Sequence, residues 1–439
     1  MIEGSIWKSM LLFAVPLLVG NLFQQLYNTV DSYVVGNYVD TSALAAVGSS
    51  VSIINMLVGI FTGLSAGAGV VISRYFGGRR KEEMSAAVHC ALALTLVLSA
   101  VFTVVGVAFT EILLKAIGVP EDVLPHATLY LKIYFGGIVF SLIYNIGAGI
   151  LRAVGDSRNP LIYLVAACVV NIVLDFAFVC GLGWGIAGVG IATVIAQAVS
   201  SAMVMYQLTH TNEDYQVRWR EIRFHRGILH QITGIGFPTA FQQSITSFSN
   251  VIVQSYINSF GTAAIAGYST ANRVEGFFFL ILQSFSMTVI TFVGQNIGAD
   301  QYKRVKQGVW TAWFMGTCIV LVGATVMNVC GMQLVSLFTE DAEVIAIGGD
   351  ILKVFSYGYP LLPVVHILGG TFQGVGKAKV PMYFMLGTFV VLRQIYLLIV
   401  VPMADNVLPV MAGWPITWVI CAIGMLIYYF KADWMPKNE

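Results

Sequence analysis

Twelve long apolar runs, separated by short stretches of Gly, Pro or charge, constrain this 439-residue chain more than any other feature. A membrane's hydrocarbon layer needs about 20 helical residues to cross, and these runs reach or exceed that length. They fall at approximately 9–36, 43–73, 84–110, 126–151, 160–182, 185–209, 228–258, 263–294, 305–331, 346–373, 380–403 and 411–430. Their apolar character is continuous, unlike the alternating strands of a membrane barrel, so the backbone must satisfy itself within helices. The expected fold class is an all-α polytopic membrane protein with twelve transmembrane helices. With 57% hydrophobic and 10% charged residues, a soluble enzyme is excluded. The 23 basic and 22 acidic residues nearly cancel, so nothing points to nucleic acid. The first run is too long for a cleaved signal peptide and is expected to stay as a span. The six cysteines lack metal-site or disulfide spacing and read as small core residues.

Basic residues orient the spans, because cytoplasmic loops hold the excess of them. One side of the membrane would collect eighteen of the 23, including Arg79, Arg80 and Lys81, the cluster Arg218 to Arg226, and Lys303, Arg304 and Lys306. The other side would hold only Lys115, Lys132 and Lys353. Both termini are therefore expected in the cytoplasm, in a multi-pass protein of a bacterial cytoplasmic (inner) membrane.

The sequence also repeats itself at an offset of 220 to 222 residues. GILRAVGDSRNP from Gly149 matches GTFQGVGKAKVP from Gly370, Pro16 maps to Pro238, Gly78 to Gly298 and Lys132 to Lys353. An offset carrying six spans returns each copy to the same side, which predicts two pseudo-symmetric six-helix lobes as parallel repeats. The lobes would be 1–208 and 228–439, joined by a cytoplasmic linker over 209–227.

Polar residues inside the spans carry the functional reading, since an ionisable side chain at mid-membrane costs about 2.5–3.5 kcal/mol on insertion scales. In the first span Gln24, Tyr27, Asn28 and Asp31 share one helical face. In the fifth, Asn171 stands one turn before Asp175. Two acids within one lobe can share a cavity and bind a proton, or a sodium ion through carboxylate, amide and hydroxyl oxygens. The alternatives are an acid reaching up to the interface at Asp31 and a structural hydrogen bond at Asp175. The second lobe differs: Gln243, Ser247, Asn250 and Gln254 share a face, but Val253 stands opposite Asp31 in the repeat. Its charges are Arg273, Glu275 and Arg393, with His366, and Glu275 is expected to pair with one of the arginines.

With these residues in hand, the chain resembles the multidrug and toxic compound extrusion (MATE) family, of a superfamily that also holds lipid-linked oligosaccharide flippases. The resemblance covers nearly the whole chain. It rests on the two-lobe span pattern, the Pro16 to Asp31 segment, the LRAVGDSRNP and FQGVGKAKVP loops, and GQNIGA from Gly294 to Ala299. It implies, in the family's DinF-like branch, a coupling-cation site of Asp31, Asn171, Asp175 and Thr193. It further implies an N-lobe cavity lined by Gln24, Tyr27, Tyr130 and Asn145, and bending of the first helix at Pro16. The acids that the NorM-like branch adds on the seventh and tenth spans are missing.

The expected function is secondary antiport: export of small hydrophobic or cationic compounds in exchange for H+ or Na+, by alternating access. The substrate cavity would include Asn28, Gln243, Ser247 and Asn250 besides the residues above. No cofactor, nucleic-acid partner or resident metal is expected, and the protein would act as a monomer in the bilayer. No GxxxxGK[ST] loop is present for ATP. A flippase for a lipid-linked precursor is the alternative, with Arg273 and Arg393 as the candidates for a basic cavity. An intramembrane enzyme is more remote, for lack of a His and acid constellation.

Overall fold

The structure, a computed structural model, describes residues 1–39 and 41–436, and every regular element among them is a helix. The helices are α1 Ile6–Tyr38, α2 Thr41–Gly77, α3 Lys81–Ala116, α4 Leu124–Gly136, α5 Ile138–Ala153, α6 Arg158–Asp175, α7 Gly185–His210 and α8 Arg226–Asn258. They continue as α9 Thr262–Gly298, α10 Tyr302–Ser336, α11 Ala342–Gly358, α12 Leu362–Gly374, α13 Lys379–Met385, α14 Arg393–Val400, α15 Leu408–Met411 and α16 Gly413–Lys431. Each predicted run coincides with one helix or a closely joined pair. Among the described residues, ten continuous stretches are long and apolar enough to cross a membrane, and α4 with α5, bent by 50°, makes an eleventh. The twelfth, α8, has the length, at 33 residues, but Gln231, Gln242, Gln243, Ser244 and Asn250 hold its hydropathy down. Large apolar side chains such as Val104, Phe314, Val322 and Val329 stand exposed along the helices. That is stable only where lipid replaces water.

The chain forms two compact units, Val15–Phe237 and Met1–Ala14 with Pro238–Glu439. In the first, the core gathers Val34, Val35, Phe61, Leu114, Leu131, Phe135 and Ile138 from α1 to α5. The α4–α5 bend falls at Gly137 because α7 runs directly against it: a Cβ there would stand 2.4 Å from Val194 Cγ1. The linker is pinned to α3. His89 Nδ1 donates to Ser85 O at 2.7 Å, which leaves Nε2 to accept from the Arg218 backbone N–H at 2.9 Å.

In the second unit, Tyr359, Phe355, Trp414 and Trp418 anchor one core, while Met10 packs with Phe292, Phe372 and Met425 in another. Arg304 Nη2 donates to the carbonyls of Met1 and Glu3 at 3.2 and 3.1 Å.

The repeat recurs in three dimensions. Ser65 Oγ donates to Asn145 O at 2.9 Å in one unit, and Ser286 Oγ donates to His366 O at 3.0 Å in the other. Gly155 and Gly376, matched in the loops, both adopt positive φ, 100° and 79°, where a side chain would be strained. A wide π-helical turn follows Asp175 over Phe176–Gly181, and another precedes Arg393 over Leu386–Leu392. Such turns are often found at functional sites.

The cysteines are all free, and Cys90, Cys168 and Cys421 are buried as expected. Cys180 and Cys318 are exposed, a correction to the core reading. Lipid tolerates a small apolar thiol on the outer face of a span as readily as a core does.

Candidate functional site

The buried acids of the N-terminal repeat come together. Asp31 on α1 is 5% exposed, and Asn171 and Asp175, at the end of α6, are fully buried. One turn of helix separates the latter two, so both face the same way. With its amide nitrogen turned toward the carboxyls, Asn171 donates to Asp31 Oδ1 at 3.0 Å and to Asp175 Oδ2 at 3.3 Å. Both acceptors are buried, where a donor is worth most. The two carboxyls lie close enough to act on each other directly. Two carboxylates repel, and a proton shared by such a pair or a cation beside it relieves that repulsion.

The other predicted members surround this pair. Thr193, on α7, is buried and donates to Val189 O at 2.9 Å, so its oxygen lone pairs remain open. The Tyr27 and Tyr130 hydroxyls lie against it. Two oxygens at the site, Tyr27 Oη and Asp175 Oδ1, are buried without a hydrogen-bond partner in the protein. Cys168 closes the approach from α6, its thiol 3.9 Å from Phe23 O. No group of three or more His, Cys, Asp and Glu able to hold a metal occurs among the described residues.

Not every expected lining residue joins the cluster. Asn145 donates from its side-chain Nδ2 to Ser141 O at 2.8 Å, and its backbone carbonyl accepts the Ser65 hydroxyl. Gln24 and Asn28 are exposed on α1, and Pro16 lies inside that helix. Gln243, Ser247 and Asn250 are exposed on α8, in the second unit.

The expected ion pair of Glu275 with an arginine is absent. Among the described residues, ion pairs join only Lys81 with Asp214, Lys115 with Glu111 and Arg218 with Glu221, and the His89 ring stands 4.0 Å from Glu221 Oε2. Glu275 instead accepts the Tyr359 hydroxyl at 3.0 Å. Arg393, 4% exposed, donates from Nη2 to Thr417 Oγ1 at 3.0 Å. Its guanidinium stands 4.8 Å from the Trp414 ring centroid and 5.3 Å from that of Phe389. The ring faces supply the attraction that a carboxylate was expected to give. Sequence reasoning missed Tyr359, Trp414 and Thr417, because ordinary aromatic and hydroxyl residues in an apolar helix carry no signal of their partners.

Comparison with known proteins agrees with this architecture. The MatE family model matches residues 16–177 and again 238–399, two copies beginning at Pro16 and Pro238. The chain is 28% identical to the probable multidrug resistance protein YoeA of Bacillus subtilis, over 99% of this chain and 96% of that protein. It is 23% identical to the multidrug export protein MepA of Staphylococcus haemolyticus, over 86% and 83%. It is 24% identical to an FAD transporter of Shewanella oneidensis, over 84% and 82%. A MOP superfamily transporter from Pyrococcus furiosus superposes with a TM-score of 0.92 at 23% identity, covering 100% of this chain and 98% of that one. An outward-facing multidrug resistance MATE family transporter gives 0.91 at 23%, over 98% and 96%. With the family model matching both repeats, the chain belongs to the MatE family of multidrug and toxic compound extrusion proteins, which are membrane transporters and not enzymes.

Proposed function

We propose that the protein is a secondary antiporter that exports small hydrophobic, often cationic compounds in exchange for inward H+ or Na+, by alternating access. The observation that carries this reading is the buried pairing of Asp31 and Asp175 around Asn171, with no arginine or lysine among the described residues bridged to either acid. A permanent basic partner would neutralise the pair and leave nothing to exchange. An exchangeable cation performs that neutralisation instead.

Turned nitrogen-inward, the amide of Asn171 donates to both carboxyls and suits a site charged by a proton. A sodium ion would need the amide oxygen turned inward, beside Asp175 Oδ1, Tyr27 Oη and Thr193 Oγ1. One charge moving down about 100 mV releases about 2.3 kcal/mol. At about 1.4 kcal/mol per decade, that sustains a concentration gradient of order fiftyfold. Neutralising the pair from outside weakens its hold on a cationic cargo, and losing the ion to the cytoplasm restores it. The names of YoeA and MepA support drug-like cargo. The expected setting is the bacterial cytoplasmic membrane with both termini inside, the protein working as a monomer.

The test is ethidium transport in proteoliposomes with proton and sodium gradients imposed separately. Wild type should transport on one of the two gradients, and the Asp31→Asn, Asp175→Asn double variant on neither. Gradient-driven transport by the double variant at the wild-type rate would remove the proposal.

A further inference from the structure

The two repeats can be aligned residue by residue through their exposure. Across the fifth span of each repeat the offset is 221 at Pro160 and Pro381, and the π-helical turn at Leu386–Leu392 then inserts one residue. From there, residues 169–178 and 391–400 match at an offset of 222, with the same sequence of buried, half-buried and exposed positions throughout. Val169 and Val391 are both exposed, as are Val173 and Ile395. At that register Asn171 corresponds to Arg393, and Asp175 to Leu397. In the first span Asp31 corresponds to Val253. In the last span, Ala187-Gly188 and Ala412-Gly413 set an offset of 225, which pairs Thr193 with Trp418.

Each member of the N-terminal cluster is thus replaced by a group of opposite or no charge. Val253 and Leu397 are fully buried where the carboxyls were, and Arg393 brings a permanent positive charge to the position of the bridging amide. That charge is held by the Thr417 hydroxyl and the Trp414 and Phe389 faces, with Nε unpartnered. Glu275, on α9, accepts the Tyr359 hydroxyl and faces the guanidinium only from beyond ion-pair distance.

We propose that Arg393 is a tethered cation: its guanidinium fills the C-terminal repeat's counterpart of the exchangeable-ion site, so only the N-terminal repeat exchanges an ion. This rests on the coupling role assigned above to Asp31 and Asp175. Arg393 is then a residue that fixes ion stoichiometry, holding one half of a symmetric machine permanently in its charged state. Its removal leaves a pocket of matching shape, walled by two aromatic faces and a hydroxyl, in which a free guanidinium ion fits as the side chain did.

The test measures thermal stability of the purified full-length protein in detergent, with low millimolar guanidinium chloride against equal potassium chloride. Arg393→Ala should melt below wild type and recover a substantial part of the loss with guanidinium, while wild type gains nothing. An Arg393→Ala variant with the guanidinium response of wild type would overturn the proposal. If Arg393→Ala does not fold, Arg393→Lys and Arg393→Met decide: lysine, which keeps the charge, should melt well above methionine, and equal melting would overturn the proposal. These readouts do not depend on transport. Coupled transport surviving in the Asp31→Asn, Asp175→Asn variant would therefore sink the coupling role alone, and failed guanidinium rescue would sink the tethered cation alone.

Discussion

Tyr359 gives its hydroxyl proton to Glu275 Oε1 at 3.0 Å, a bond from the end of α11 to the middle of α9 in which the tyrosine is fully buried. Among the described residues no basic group lies within ion-pair distance of Glu275, so this donor is the direct contact that makes the carboxyl tolerable there. Tyr359→Phe should destabilise the protein by about 1–3 kcal/mol, the cost of stranding a buried polar group. Pairing the change with Glu275→Leu should recover most of that loss, because the stranded group is then gone. Thermal melts of the single and double variants check it; simple additivity of the two losses would show the bond to be incidental.

Asn171 is the donor shared by the two acids, and leucine fills similar space without donating. Asn171→Leu should leave the bundle folded and membrane-inserted yet lower ion-driven ethidium efflux by about ten- to a hundredfold. That corresponds to about 1.5–3 kcal/mol for hydrogen bonds to a charged group. Efflux rates normalised to the amount of folded protein provide the measurement, and a wild-type rate would dissociate the amide from coupling.

The bend between α4 and α5 allows a sharper comparison of neighbours. Gly137→Val would drive its side chain into Val194, 2.4 Å from the ideal Cβ, and should cost about 3 kcal/mol or more, beyond ordinary overpacking. Gly136→Ala meets nothing within 4 Å and should be neutral or stabilising by up to about 1 kcal/mol. Expression level and melting temperature of the two variants separate these outcomes; equal behaviour would mean that α7 moves aside.

Much of the fold was legible in the sequence because burying a backbone in lipid leaves few options. Apolar runs had to be helices, and their ends lie close to the observed ones, as at 185–209 against Gly185–His210. The Asn171 to Asp175 spacing was equally readable, being one helical turn. What escaped were relations between distant segments. No pattern in the chain tells that Thr417 and Trp414 hold Arg393, and the expected Glu275 ion pair failed because aromatic faces served the cation. The correspondence of Arg393 with Asn171 lay within the offset of 220 to 222 but was not singled out, because the loop motif at Pro160 and Pro381 sets 221 and only the exposure pattern after the π-helical turn shows the register moving to 222.

Helix α1 begins in one unit and ends in the other: Met10 is sealed among Phe292, Phe372 and Met425, whereas Asp31 belongs with α6 and α7. Helix α8 does the reverse, with Arg226 to Phe237 in the unit that begins at Val15. The two repeats of the sequence are therefore not the two compact units. Each copy lends its opening turns to its sibling, so a chain severed in the linker yields two fragments that each lack a wall of their own and carry one belonging to the other.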